Sequence, residues 1–295
     1  MPTFAIAAIA AVTLLSSAPA GGEGVGIDMR NVHLRVAPDA ALDITWLHGR
    51  MRPTKAGQIP VFDDPSSFDL VIEDGEMSVD APSLTALVNR AFSFKGSNLS
   101  DLHVSFDGAS LVEHGKLTKG VTVPFTVTAS ISVTPEGLLR VHADKVKAGG
   151  IPAAALLHVF GVELDNVIHA NPAGGVRIEK DDLLLDPGKM LPPPATSGHL
   201  LRAAVRDNRL VQTFGRGAAA RPKGGGNYIW FRGGTIRFGR LTMADADLEL
   251  IDMQPADPFD FYSAKYDVQL VAGYSKNTPQ HGLRTYMPDY ARVKR

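Results

Sequence analysis

The chain has no cysteine in 295 residues. That excludes disulfides, a thiolate nucleophile, a cysteine-zinc site and a lipid-modified cysteine. Charge of one sign is also missing: 30 Lys and Arg face 31 Asp and Glu, a net charge of −1. Nucleic-acid binders are usually clearly basic, so no nucleic-acid partner is expected. Aromatic residues supply only 7% of the chain. Beyond the N-terminus no apolar run approaches the ~20 residues that a membrane-spanning helix needs.

Catalytic signatures are absent as well. Gly273-Tyr274-Ser275-Lys276-Asn277 lacks the closing glycine of a nucleophile elbow. Gly108 to Lys116 superficially follows a phosphate loop, but Leu117 stands where Ser or Thr is required. Gly215 to Ala220 fits a loose dinucleotide pattern, yet the Arg221-Pro222-Lys223-Gly224 that follows cannot continue as a helix. The nine histidines show no H-x-H or H-E-x-x-H spacing. No catalytic residue, metal or cofactor is therefore expected, and the chain reads as a non-enzyme.

What the sequence does contain is alternation. Val121, Val123, Phe125, Val127, Ala129, Ile131 and Val133 fall on one parity, and Thr122, Pro124, Thr126, Thr128, Ser130 and Ser132 on the other. Side chains in a strand alternate faces, so 121–133 reads as one strand with an apolar and a hydroxyl-bearing side. At about 3.3 Å per residue it would run roughly 43 Å, against ~17–20 Å for common strands. Similar alternation occurs at Val32, Leu34 and Val36, and at Leu42, Ile44 and Trp46. Turn residues at Asp74-Gly75, Asp107-Gly108, Thr134–Gly137, Glu179–Asp182 and Asp207-Asn208 divide the remainder into hairpins. With 29 Gly and 20 Pro, the composition suits many strands joined by turns.

Two helices interrupt this pattern. Pro82–Phe92 opens on proline, whose missing N–H is harmless in a first turn. Its Leu84, Leu87, Val88 and Ala91 form one stripe. Pro152–Ile168 likewise opens on proline and places Leu156, Leu157, Phe160, Leu164 and Val167 on one face. The expected fold is α+β and mainly β: a long curved antiparallel sheet of hairpins wrapped around one or two amphipathic helices.

The first residues read as a signal peptide, 1–20. An apolar run from Phe4 to Leu15 precedes Ala18-Pro19-Ala20, a small-residue cleavage pattern, although no Lys or Arg opens the segment. The expected location is periplasmic or secreted. A β-rich domain follows at 24–214, then a Gly-rich linker or loop at 215–226. C-terminal hairpins and an extended tail occupy 227–295. The tail, with Tyr286 and Tyr290, reads as an ordered strap over the surface. Asp245, Asp247 and Glu249 alternate with Ala246, Leu248 and Leu250 and read as the wet face of a strand. Asp252, Asp257 and Asp260 lie in a turn able to present carboxylates to Ca²⁺, without EF-hand spacing.

Residues 78–92 (SVDAPSLTALVNRAF) and 123–152 (VPFTVTASISVTPEGLLRVHADKVKAGGIP) resemble exported bacterial proteins of the LmeA-like, phospholipid-binding kind. The shared pattern is a strand, a Pro-x-Gly turn, a strand with Lys or Arg, then Gly-Gly-Ile-Pro leading into a helix. The likeness spans roughly residues 68–190. It implies a tubular, TULIP-like half-barrel with a greasy interior, a phospholipid or similar apolar ligand as partner, and a role in lipid transport. Residues 231–251 more faintly resemble AsmA-like envelope proteins. Neither resemblance supplies catalytic residues.

A strip of seven apolar positions must be covered along its length. A fully helical 152–168 would reach only about 25 Å, so an acyl chain is a candidate for the remainder. Alternation and the helical stripe nominate Val123, Phe125, Val127, Ile131, Leu156 and Phe160 as the apolar lining. Arg140, Lys145 and Lys147 are the candidates for phosphate contacts at its mouth. The alternative is a structural or interaction protein of the cell envelope, with a sealed core, an envelope protein as partner and no ligand.

Overall fold

In the computed structural model, residues 24–149, 151–152, 172–180, 182–215 and 225–293 are described. Residues 1–20, most of the predicted helix 152–168 with Leu156 and Phe160, and most of 215–226 lie outside this set. The described part is mainly β, in large open sheets.

The chain begins with a meander of three long strands, β1 (Val25–Ala37), β2 (Ala40–Pro53) and β3 (Phe68–Asp80). Helix α1 (Ala81–Phe92) follows directly. Asp80 caps it by accepting the Ser83 N–H at 2.9 Å, and Pro82 sits in the first turn. Six further strands and a two-residue strand come next: β4 (Leu99–Asp107), β5 (Ser110–Lys119), β6 (Val121–Val133), β7 (Leu139–Ala148), β8 (Ile151–Pro152), β9 (Val176–Glu179) and β10 (Asp182–Leu185). They form a seven-stranded sheet in the order β4-β5-β6-β7-β10-β9, with β8 beside β7.

The chain then returns to the first meander. β11 (Ala195–Gly198) lies parallel to β3, and the hairpin of β12 (Leu200–Arg206) and β13 (Arg209–Phe214) extends β3. Asp207 and Asn208 both take positive φ, 50° and 58°, as their short turn requires. On the far side, β14 (Tyr228–Arg232) pairs with β1 and β17 (Asp247–Asp252) with β14. β15 (Thr235–Phe238) and β16 (Leu241–Ala244) form a separate hairpin. β18 (Phe259–Tyr262) runs parallel to β1, and β19 (Tyr274–Asn277) and β20 (Leu283–Met287) finish the edge next to β17. The result is an eleven-stranded sheet.

Strands from 24–214 and from 227–295 share one sheet, because β14 pairs with β1. This topology changes two sequence-based expectations. The tail is not a strap: β20 is an in-plane strand between β17 and β19. Asp74-Gly75 is not a turn, because β3 runs straight through it. Gly75 faces Leu47, and a Cβ there would lie 3.0 Å from the Trp46 carbonyl oxygen. The glycine serves a close strand approach rather than a reversal. By contrast, the Thr134–Gly137 turn forms as read, with Gly137 at φ 81° and its N–H bonded to the Thr134 carbonyl.

Helix α1 joins the two sheets. Leu84, Leu87, Val88 and Phe92 are buried in a core with Leu42, Ile44, Met77 and Val79 of the larger sheet. The other flank of α1 meets β4, the edge strand of the smaller sheet. Asn89 donates to the Leu102 carbonyl at 2.7 Å and accepts the Leu102 N–H at 3.2 Å. One turn earlier, Thr85 Oγ1 accepts the Val104 N–H at 2.9 Å. The helix thus supplies partners that a neighbouring strand would otherwise provide, and it protects an open edge.

Candidate apolar ligand site

The candidate site lies on the inner face of the seven-stranded sheet. Strand β6 is unbroken over all 13 residues and sits between β5 and β7. Pro124 therefore occupies an interior strand rather than an edge. Its carbonyl accepts the Gly149 N–H just past the end of β7, so its missing N–H faces the place where pairing stops.

Cross-strand register decides which side chains share a face. Val123 is opposite Leu117, Phe125 opposite Gly115 and Ala148, Val127 opposite Glu113 and Val146, and Ile131 opposite Val141. The four described lining candidates, Val123, Phe125, Val127 and Ile131, thus stand together on one apolar face. Leu156 and Phe160 lie outside the described residues. Exposure changes along the strip. Val121 is 67% exposed, Val123, Phe125 and Val127 are half-buried, and Ala129 is fully buried. Gly115 makes room for Phe125: a Cβ at 115 would come within 2.7 Å of the Phe125 ring and 2.6 Å of Leu102.

The proposed headgroup residues are not brought to this face. Lys147 is opposite Thr126, Lys145 opposite Thr128 and Arg140 opposite Ser132, so all three share the hydroxyl side. A bulge in β7 at Asp144 keeps Lys145 and Lys147 there, and Arg140 turns toward Asp182 with Nε 3.4 Å from the carboxylate. The strand period puts them on the side opposite the apolar row. A shallow depression of about 240 Å³ is lined by His114, Thr126 and Lys147 together with Gly115, Pro124 and Phe125.

An acid stands on the apolar face instead. Glu113 lies between Val104 of β4 and Val127 of β6. Among the described residues, no hydrogen bond or ion pair reaches its carboxyl group. The residue is half-buried by surface area, and desolvation by the apolar groups packed around its carboxyl pushes its pKa up to about 7. The sequence held the signal: Leu111, Glu113, Gly115 and Leu117 share one parity, and the acid falls on the greasy side. The edge clip made by Thr85 and Asn89 was also missed, because hydroxyl and amide groups on a helix flank carry no sequence mark of a partner strand.

A second apolar space lies deeper, where α1 meets both sheets. It is an almost wholly apolar cavity of about 50 Å³, bordered by Leu42, Met77, Leu84, Leu139, Leu185 and Gln212 among others. Gln212 is buried and its Oε1 has no partner among the described residues. None of the β6 lining candidates reaches this cavity.

The acidic turn does not gather into a metal site. Asp252 accepts from Asn227 at 2.8 Å and from the Gln254 N–H at 2.7 Å, while Asp260 pairs with Arg35 at 2.6 Å. Among the described residues no group of three or more His, Asp or Glu could hold a metal ion. No described helix is long and apolar enough to cross a membrane. Comparison with known proteins gave no matching family model, no matching curated protein and no matching solved structure.

Proposed function

We propose that this chain is an exported, non-catalytic envelope protein that holds a lipid or other long apolar ligand against the inner face of the seven-stranded sheet. The observation that carries this reading is the exposure gradient along β6, from buried Ala129 to 67% exposed Val121. An apolar row left half open in water is unfavourable unless something apolar covers it. Each acyl CH₂ removed from water there would contribute about 0.8 kcal/mol. The resemblance of 123–152 to LmeA-like phospholipid-binding proteins agrees with this reading, as does the export signal expected at 1–20. Transport of the ligand within the periplasm, or after secretion, is the role that fits.

A second reading is a structural or interaction protein with a sealed core. The deep cavity favours it, since about 50 Å³ is far below the ~300–1,000 Å³ usual for small-molecule pockets. Native mass spectrometry of the gently purified chain separates the two. The ligand reading expects added mass that organic extraction removes. Bare mass throughout, together with a stable protein partner in crosslinking, would establish the second reading instead.

A further inference from the structure

We propose that Glu113 is the polar contact of the apolar face, its neutral carboxyl donating a hydrogen bond to the ester carbonyl of an acyl ligand lying along Val123, Phe125 and Val127. The inference rests on the ligand reading above and adds to it a ligand class. Its basis is placement. Glu113 sits mid-strand on β5, with Val104 and Val127 directly across from it and Leu111 and Gly115 beside it on the same face. Phe125 fills the space above Gly115.

No charged or titratable group faces Glu113 from β4, β5 or β6 among the described residues. His103 and His114 pair with each other on the opposite face. Asp101 and Lys116 form their own ion pair at 2.7 Å. On the β4 side, α1 sends Thr85 and Asn89 to the main chain of Val104 and Leu102 rather than to this carboxyl.

A carboxylate without a counter-charge in such surroundings is disfavoured, so the group holds its proton up to a pH of about 7. A neutral carboxylic acid carries an O–H donor that needs an acceptor. The strand neighbours offer only hydrocarbon. An ester carbonyl on an acyl chain supplies an acceptor together with the apolar length that the strip covers. A cationic amphiphile is the less favourable occupant, because an ammonium group would also have to be desolvated.

Burial holds the carboxyl pKa at about 7. Ionisation above that pH removes the donor, so ester affinity should be highest in mild acid and fall as pH rises through 7. The test is displacement of N-phenylnaphthylamine from the full chain by three probes of equal chain length: a fatty-acid methyl ester, the alkane and the alkylamine. The wild type should prefer the ester to the alkane by about tenfold in mild acid and lose that preference in mild alkali. E113Q, whose amide still donates, should keep the ester preference at both pH values. E113L should lose it at both.

Equal binding of ester and alkane would overturn the inference while leaving the ligand reading intact. So would a pH dependence that survives in E113Q, or an alkylamine preference that grows with pH. No displacement by any probe at either pH would overturn the ligand reading and this inference with it.

Discussion

The two sheets are built from the same alternating sequence pattern but are finished differently. On the inner face of the eleven-stranded sheet, Val25, Phe231 and Phe259 are 0% exposed and Leu47 is 1% exposed. On the inner face of the seven-stranded sheet, the row from Val121 to Val127 stays partly open. Alternation therefore reports that a face is apolar, not what covers it. In the larger sheet the cover is visible: α1, the short helix Tyr266–Ala272 and the aromatic group of Phe62, Phe231, Phe238 and Tyr266 close it. In the smaller sheet the protein seals the end near Ala129 and leaves the end near Val121 open.

The largest test of this contrast is a pair of truncations. Phe231→Ala removes a fully buried ring that meets Phe62 and Phe238 edge-on, and it should destabilise the fold by about 3–5 kcal/mol. Val123→Ala, on the half-open strip, should lower stability by about 1 kcal/mol or less. Urea denaturation of both variants decides it, and similar losses would erase the distinction between the faces.

Glu113 gives the next largest effect, with a sign fixed by its titration. Its folded pKa, about 7, lies above the ordinary carboxylate value, so the folded state holds the proton more tightly than the unfolded one. The wild type should then lose stability as pH rises from the ordinary carboxylate range through 7. Glu113→Gln cannot ionise. It should be more stable than wild type by about 1–3 kcal/mol in mild alkali and equal to it in mild acid. Equal stability at every pH would mean that the carboxyl is well solvated and that this face is wetter than its hydrocarbon neighbours imply.

Thr85→Val probes the junction between the sheets. It keeps the shape of the side chain but leaves the Val104 N–H without its acceptor, for a loss of about 1 kcal/mol. Hydrogen exchange at the Val104 amide should accelerate, whereas exchange at an interior residue such as Ile44 should follow only the change in global stability. The smallest effect belongs to Lys145→Ala and Lys147→Ala. Both lie on the hydroxyl face, so stability should change by less than about 0.5 kcal/mol and probe binding should stay the same. A loss of binding in either would place the ligand on the other side of the sheet.

Much of this architecture was legible from local pattern. The strand at 121–133, the proline-led start of α1, the Thr134–Gly137 turn and the Asp207-Asn208 reversal all follow from rules that act within a few residues. What failed depended on neighbours distant in sequence. Gly75 looked like a turn residue because glycine permits reversal, but its role is to let β3 approach Trp46. The C-terminal tail showed no sign that β20 would lie parallel to β17, since a parallel neighbour can come from anywhere in the chain. Charge marks Arg140, Lys145 and Lys147 as headgroup candidates, but only cross-strand register shows that they share the hydroxyl face. Glu113 is readable by parity, but one acid in an apolar row carries little meaning until its cross-strand partners are known.

The absence of cysteine makes the most direct measurement simple, since any introduced thiol is unique. Val123→Cys and Leu47→Cys place one thiol on each inner face, and reaction with a soluble maleimide reports access. The open-face account predicts that the thiol at 123 reacts readily and becomes protected when a fatty-acid methyl ester is added, while the thiol at 47 stays unreactive in both conditions. A thiol at 123 that is as inert as the one at 47, or one whose reactivity ignores the ester, would contradict it.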